Sequence, residues 1–356
     1  MNNPFNPTFG DVPQIFLDTD SRINDLIKTI KNSSFARSFF ITGVRGSGKT
    51  VFLNAVGQTL DKDKSCIRIN LLNNDNLVES FTKKLLHATT SNLKKVVKSV
   101  SSISVKGLNI DLSSDSLEYD EALKEMLIHL KKQNKYVVVT IDEISNSEAV
   151  RKFAQVSNEL KGEKLPLFVL MTGLPDLVLN LQTEKNLTFL LRSEKIHTLP
   201  LKPADVIASY QKIFKCSLEL ANKMAQMVGG YAYGFQLLGF LLFNEVNGKV
   251  PTFADLENIT LQYKLQLFDN AYQKIFDDLS ENDRKYLLFV KDGGKLEEIV
   301  QKWGKSRVYV AQYRRRAIER DLVKPVGHGI VNFTLPYFAD YLNQVQDPNS
   351  VYYLGY

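Results

Sequence analysis

Histidine and cysteine are scarce in this 356-residue chain: four histidines and two cysteines, Cys66 and Cys216, lie scattered without metal-ligand spacing. That scarcity excludes a zinc site built from paired ligands and a disulfide-stapled scaffold, and it suits a reducing cytosol. Long apolar runs are missing too. The longest, Phe235 to Phe243, is broken by Gln236 and Gly239 and is too short to span a bilayer. The opening Met1-Asn2-Asn3-Pro4-Phe5 has neither a basic n-region nor an apolar h-region, so no secretory leader is expected. No long low-complexity tract interrupts a composition that is 44% hydrophobic, and the length suits two or three domains. A folded cytoplasmic protein with no membrane partner is the expectation. The net charge of +6 is a mild bias towards an acidic partner, and its location matters more than its size.

What is present begins with Gly43-Val44-Arg45-Gly46-Ser47-Gly48-Lys49-Thr50, a phosphate-loop motif. It follows the apolar run Phe39-Phe40-Ile41-Thr42 and leads into a helix pattern, Val51-Phe52-Leu53-Asn54-Ala55-Val56. Glycines let successive N–H groups curl around phosphate oxygens where a β-carbon would collide, with a helix N-terminus behind them. Gly43, Arg45, Gly46, Ser47, Gly48, Lys49, Thr50 and Val51 are therefore the expected contacts of ATP. Lys49 reaches the β- and γ-phosphates as a point charge, and Thr50 offers a hydroxyl to Mg²⁺.

A second motif completes the chemistry. Tyr136-Val137-Val138-Val139-Thr140-Ile141 is a β-branched run without alternation, as a strand buried on both faces requires, and it ends in Asp142-Glu143. Carboxyl edges of parallel sheets are where ligands bind. Asp142 is the expected Mg²⁺ partner, and Glu143 orients or deprotonates the attacking water. Another apolar run, Pro166 to Met171, ends in Thr172-Gly173. Thr172 either bonds the γ-phosphate or attacking water as a sensor, or caps the next turn. Arg192, on the apolar segment Leu187 to Ser193, either supplies charge to a γ-phosphate in its own or a neighbouring subunit, or forms a surface salt bridge.

Between these motifs the periodicity predicts a lead-in helix near Ile23 to Ile30, a strand Cys66 to Leu71 and a long lysine-bearing helix over about 77–100. Ile103 to Leu112 alternates on both sides of a Lys106-Gly107 turn and reads as an inserted hairpin. A hairpin lying on the core is the preferred reading, and contact with nucleic acid or a neighbouring subunit the other. Residues 202–275 lack strand patterns and read as a helical lid. In the tail, helices after Ser280, around Leu296 to Trp303 and over about 307–320 precede strands on either side of Gly327-His328-Gly329. That is the order of a winged helix-turn-helix. Residues 302–324 hold eight basic and two acidic side chains, a local excess equal to the charge of the whole chain. Projection at the helical period turns Val308, Ala311, Ile318 and Leu322 inward. Tyr309, Gln312, Tyr313, Arg316 and Arg320 face outward as candidate contacts to double-stranded DNA. A tail used for protein packing is the alternative.

Together these residues resemble bacterial AAA+ ATPases similar to origin-recognition initiators. The resemblance rests on Asn3-Pro4-Phe5 with Phe9-Gly10 and Val12-Pro13, on Gly43 to Thr50, and on Ile141-Asp142-Glu143. It continues through Thr172-Gly173-Leu174-Pro175, Thr188-Phe189-Leu190 with Arg192, Gly230-Tyr231 and Tyr313-Arg314-Arg315-Arg316. It implies an α/β fold: a P-loop AAA+ parallel-sheet core over 1–200, a helical lid over 201–275 and a C-terminal winged helix over 276–356. Its first segment would lie near the adenine, and Arg192 would serve a homo-oligomer. Such lids carry a second-sensor arginine, but Gly229 to Gly239 contains none, and Ala232 stands where related lids often have proline. The runner-up function is a STAND-type ATP-dependent switch whose winged helix packs on protein.

Overall fold

The computed structural model describes all residues except 1, 9, 11–12, 18–19, 34–36, 90–104, 107–108 and 111–115. Contacts divide the chain into two compact units, one of Thr19–Thr42 with Lys49–His197 and one of Met1–Asp18, Gly43–Gly48 and Thr198–Tyr356.

The first unit alternates helix and strand: α1 (Asp20–Asn32), β1 (Ser38–Thr42), α2 (Lys49–Leu60), β2 (Cys66–Leu71) and α3 (Leu77–Ala88). A short antiparallel pair follows, β3 (Val105–Lys106) with β4 (Asn109–Ile110). Next come α4 (Ser116–Lys132), β5 (Tyr136–Ile141), α5 (Glu148–Gly162), β6 (Leu167–Gly173) and α6 (Pro175–Thr183). A 3₁₀ segment, Lys185–Arg192, leads into β7 (Glu194–His197). Five strands form one parallel sheet in the order β2-β5-β6-β1-β7. Every residue of β6 and all but the first of β5 are buried, which is why these strands read as unbroken apolar runs. Register sets Thr42 beside Gly173 and Ile141 beside Met171, so β1, β5 and β6 end side by side at one edge.

Of the helix expected over 77–100, Leu77–Ala88 is seen, and 90–100 lie outside the described residues. The expected hairpin is present as backbone pairs Val105–Ile110 and Lys106–Asn109, while its turn, 107–108, lies outside them.

In the second unit the helical region comprises α7 (Pro203–Phe214), α8 (Leu218–Val228), α9 (Ala232–Val246) and α10 (Phe253–Leu267). A π-turn, Phe268–Tyr272, carries α10 directly into α11 (Gln273–Asp277). Helix α9 is apolar nearly all round because it is buried nearly all round. Phe5 packs so closely on it that a β-carbon at Gly239 would lie 2.4 Å from the Phe5 ring, and Asn3 Nδ2 donates to the Phe240 carbonyl at 3.0 Å. The first residues therefore belong with the helices rather than the sheet.

The tail supplies α12 (Glu281–Lys291), α13 (Leu296–Trp303), α14 (Arg307–Glu319), the antiparallel pair β8 (Val323–Gly327) and β9 (Ile330–Phe333), and α15 (Phe338–Gln346). An isolated bridge from Lys295 to Ile330 adds to the hairpin. This is the helix, helix, helix, hairpin order read from the sequence. One apolar core runs from Phe5 through α7–α11 into α12–α15, so the segments 201–275 and 276–356 share a core rather than standing as separate bodies.

Candidate nucleotide and nucleic-acid sites

In the first unit, the ends of β5 and β6 and the start of α2 assemble an acidic corner. The Thr50 hydroxyl donates to the Asp142 carboxylate, at 2.9 Å to Oδ2 and 3.2 Å to Oδ1. Thr172, wholly buried, donates its hydroxyl to Asp142 Oδ1 and accepts the Glu143 N–H at 2.8 Å. Glu143 itself is exposed and sits at φ 51°, a left-handed conformation rarely tolerated outside glycine. Two contacts over-determine that conformation: the Thr172 bond on its N–H, and Asn73 Nδ2 donating to its carbonyl at 2.8 Å. Lys49 is buried as the first residue of α2.

Thr172 makes bonds that neither sequence reading named. Its hydroxyl is spent on the two acidic residues, because a buried hydroxyl at a strand end satisfies the nearest polar backbone and carboxylate groups first. It holds Asp142 and the backbone of Glu143 in place. Asn73, just past β2, does not stand out in the sequence, since the polar run Asn73-Asn74-Asp75-Asn76 reads as a turn.

In the second unit the glycine-rich turn has its own supports. Gly46 and Gly48 adopt φ 75° and 90°. A β-carbon at Gly43 would stand 1.9 Å from Thr198 Oγ1, and one at Gly46 would stand 2.2 Å from Tyr231 Oη, so a side chain at either position would displace the hydroxyl that supports the turn. Thr198 donates to Ser47 Oγ at 2.7 Å, and the Ser47 N–H closes a turn onto the Val44 carbonyl at 3.1 Å. Tyr231 Oη donates to the Arg45 carbonyl at 2.8 Å, and the Tyr233 N–H donates to the Gly46 carbonyl at 3.0 Å. Burial, with Tyr233 alongside, pushes the Tyr231 phenol well above its ordinary range, so it stays protonated and keeps donating. The head of α9, which lacks arginine, thus grips the loop with tyrosines. Val51 continues α2 beyond Thr50.

Arg192 is exposed at the end of the 3₁₀ segment Lys185–Arg192, just before β7 as expected.

Helix α14 corrects the projected faces. Its buried face is Val310, Tyr313 and Ala317, while Val308 is 83% exposed. Trp303 draws the tyrosines in, with ring centroids 5.3 Å from Tyr313 and 5.6 Å from Tyr309. Arg316 and Arg320 turn towards buried Asp283, with nitrogen–oxygen distances of 2.6 and 3.2 Å. A buried carboxylate must be paired, and these guanidinium groups are its partners. Tyr313 is thus buried and Arg320 largely so, Arg316 pairs with Asp283 while its side chain stays 41% exposed, Tyr309 is partly buried, and Gln312 remains exposed. The outward face carries Arg307, Val308, Gln312 and Arg315, with Lys302, Lys305 and Lys324 also exposed. Among the described residues, no helix is long and apolar enough to cross a membrane.

Comparison with known proteins agrees with the fold. Residues 33–178 match the AAA domain family, and residues 269–342 match a domain of unknown function, DUF8462. The chromosomal replication initiator protein DnaA of Buchnera aphidicola subsp. Baizongia pistaciae is 26% identical over 114 residues. That match covers 31% of this chain and about a quarter (24%) of the relative's length. The Aeropyrum pernix ORC2 protein, solved as ADPNP–ADP complexes, superposes with a TM-score of 0.58 at 13% identity, covering 95% of each chain. Its ADP form gives 0.53 at 12% identity, covering 95% of this chain and 96% of that one. The chain thus carries an AAA domain over residues 33–178, with a phosphate-loop motif and a five-stranded parallel sheet, in a fold similar to that of the ORC2 protein.

Proposed function

We propose that this protein binds ATP at Gly43–Thr50, hydrolyses it to ADP and phosphate, and uses its nucleotide state to control association with double-stranded DNA. The observation that carries this reading is the Thr50–Asp142–Thr172 network, which holds an acidic pair beside the helix that opens with Lys49. Thr50 and Asp142 fit Mg²⁺ on donor chemistry. A hydroxyl and a carboxylate are hard oxygen ligands, and phosphates and water usually complete such a shell. Bound there, the ion supplies neutralising charge to the triphosphate. Glu143, held by its backbone and exposed at its side chain, is the base that orients water towards the γ-phosphorus and takes its proton as the β–γ bridge breaks. Arg192, exposed at the end of its 3₁₀ segment, is suited to a nucleotide held by a second copy.

The tail supports the DNA half of the proposal through its exposed cations. Arg307 and Arg315 are 67% and 77% exposed at the side chain and, among the described residues, make surface ion pairs of 3.5 Å, which water and salt weaken. Gln312 and Arg315 carry the groups that read adenine and guanine edges, and Val308 can meet a thymine methyl. The relative's role in chromosomal replication initiation suits such a target. This exposure favours DNA over the switch reading, in which α14 packs on protein.

The direct test is a pair of variants. Lys49→Ala is expected to abolish ATP binding in calorimetry. Glu143→Gln is expected to keep binding within about twofold and to lower turnover by about 10²–10⁴. Wild-type turnover in Glu143→Gln would remove the assigned base, and unchanged affinity in Lys49→Ala would remove the site.

A further inference from the structure

Within the second unit, the support of the glycine-rich turn does not stop at α9. Tyr233, whose N–H holds the Gly46 carbonyl, accepts a hydrogen bond at its phenol oxygen from Asn270 Nδ2 at 2.8 Å. Asn270 lies in the π-turn Phe268–Tyr272. Tyr272, in the same turn, has its ring 6.3 Å from that of Tyr231. It donates its hydroxyl to the Pro336 carbonyl at 2.5 Å and meets the Phe338 ring edge-on at 5.2 Å. Phe338 opens α15. Three short steps thus run from the carbonyls of Arg45 and Gly46 to the element after the C-terminal hairpin.

Peptide geometry gives this path a use. A trans peptide is planar, so the carbonyl of Arg45 and the N–H of Gly46 point in opposite directions, as do the carbonyl of Gly46 and the N–H of Ser47. A group that grips either carbonyl therefore aims the next N–H. Phosphate binding that reorients those N–H groups must pull on Tyr231 and Tyr233 in return. The π-turn is the element able to respond. It holds one residue more than an α-turn, and absorbing that residue rotates the following helix by roughly 100°.

We propose that Tyr231, Tyr233 and Asn270 are positioning residues that relay the state of the phosphate loop through the Phe268–Tyr272 π-turn to the C-terminal helices. This takes the place of the arginine that the lid lacks. The proposal rests on the nucleotide-controlled DNA binding argued above, and names its route. Asn270 is exposed, and Tyr233→Phe removes one oxygen while leaving the backbone N–H that holds Gly46, so neither Asn270→Ala nor Tyr233→Phe threatens folding.

The test is amide hydrogen exchange of the full chain without nucleotide, with Mg²⁺–ATPγS and with Mg²⁺–ADP, read beside duplex-DNA affinity in each state. In the wild type, ATPγS is expected to slow exchange at 231–236, at 268–273 and at 336–341. In Asn270→Ala and Tyr233→Phe the first response stays and the other two vanish. The ratio of DNA affinities between nucleotide states then falls by about fivefold or more. Wild-type protection confined to 231–236, or variants that respond at all three segments, would overturn the relay. Should the three segments respond as expected while DNA affinity ignores nucleotide, the relay stands and the DNA reading fails. Should affinity follow nucleotide equally in the wild type and both variants, the DNA reading stands and the relay fails.

Discussion

Thr172 separates what a residue type suggests from what its surroundings make of it. At the end of an apolar strand its hydroxyl suggests a phosphate sensor. In the fold it is buried, donating to Asp142 and accepting from the Glu143 N–H, and the left-handed backbone of Glu143 depends on it. Thr172→Val should therefore lower turnover by up to about 100-fold through misplacement of the acidic pair. It should also destabilise the protein by about 1–3 kcal/mol, because it leaves buried polar groups unpaired. Thr172→Ser should restore both. Urea unfolding and steady-state rates measured on the two variants check this, and unchanged stability in Thr172→Val would contradict the assignment. At this scale the phosphate loop, Asp142 and Glu143 were legible in the sequence because spacing and strand context define them. Asn73 and the tyrosine grip were not, since each bonds to a residue far away in the chain.

Helix α14 shows why element faces are harder to read than element positions. Its bounds, Arg307–Glu319, match the expected span, and Ser306 caps it by accepting the Tyr309 N–H at 3.2 Å. Its sequence holds two overlapping apolar stripes, however: Val308-Ala311-Ile318 and Val310-Tyr313-Ala317. Period alone does not choose between them. The choice falls to Trp303 and Asp283, which come from the two preceding helices and pull in Tyr313, Arg316 and Arg320. Asp283→Ala should strand these guanidinium groups and lower stability by about 3 kcal/mol. Arg315→Ala, on the outward face, should change stability by less than about 0.5 kcal/mol. It should nonetheless weaken duplex binding and reduce its salt slope by about one unit or less. Chemical denaturation and salt-titrated binding on both variants separate the faces, and a reversed pattern would restore the original projection.

For the whole molecule, alternation of helix and strand made the α/β class legible, and the absence of strand patterns did the same for the helical region. The unit boundaries were not legible, because Phe5 and the turn Gly43–Gly48 join the helical half through contacts that no local pattern records. Stability should also carry a pH signature from Lys161, whose ammonium donates to Ser38 Oγ. Burial pushes Lys161 down to about 7. The unfolded chain keeps this proton up to the ordinary lysine value of about 10.4, so it binds more protons than the folded state between those limits. The burial penalty is complete below about pH 7, and stability rises with pH across that window. Lys161→Met should flatten the rise, as seen by comparing urea midpoints of variant and wild type at about pH 7 and pH 9. A parallel pH dependence in the variant would exclude Lys161 as its source.

The coupling of loop to tail is tested most directly by steady-state ATP hydrolysis with and without double-stranded DNA, at low and moderate salt. Stimulation by DNA that fades as salt rises is the predicted result, since the outward cations of α14 act through phosphate contacts. Hydrolysis that is indifferent to DNA at both salts would contradict a nucleotide cycle tied to DNA.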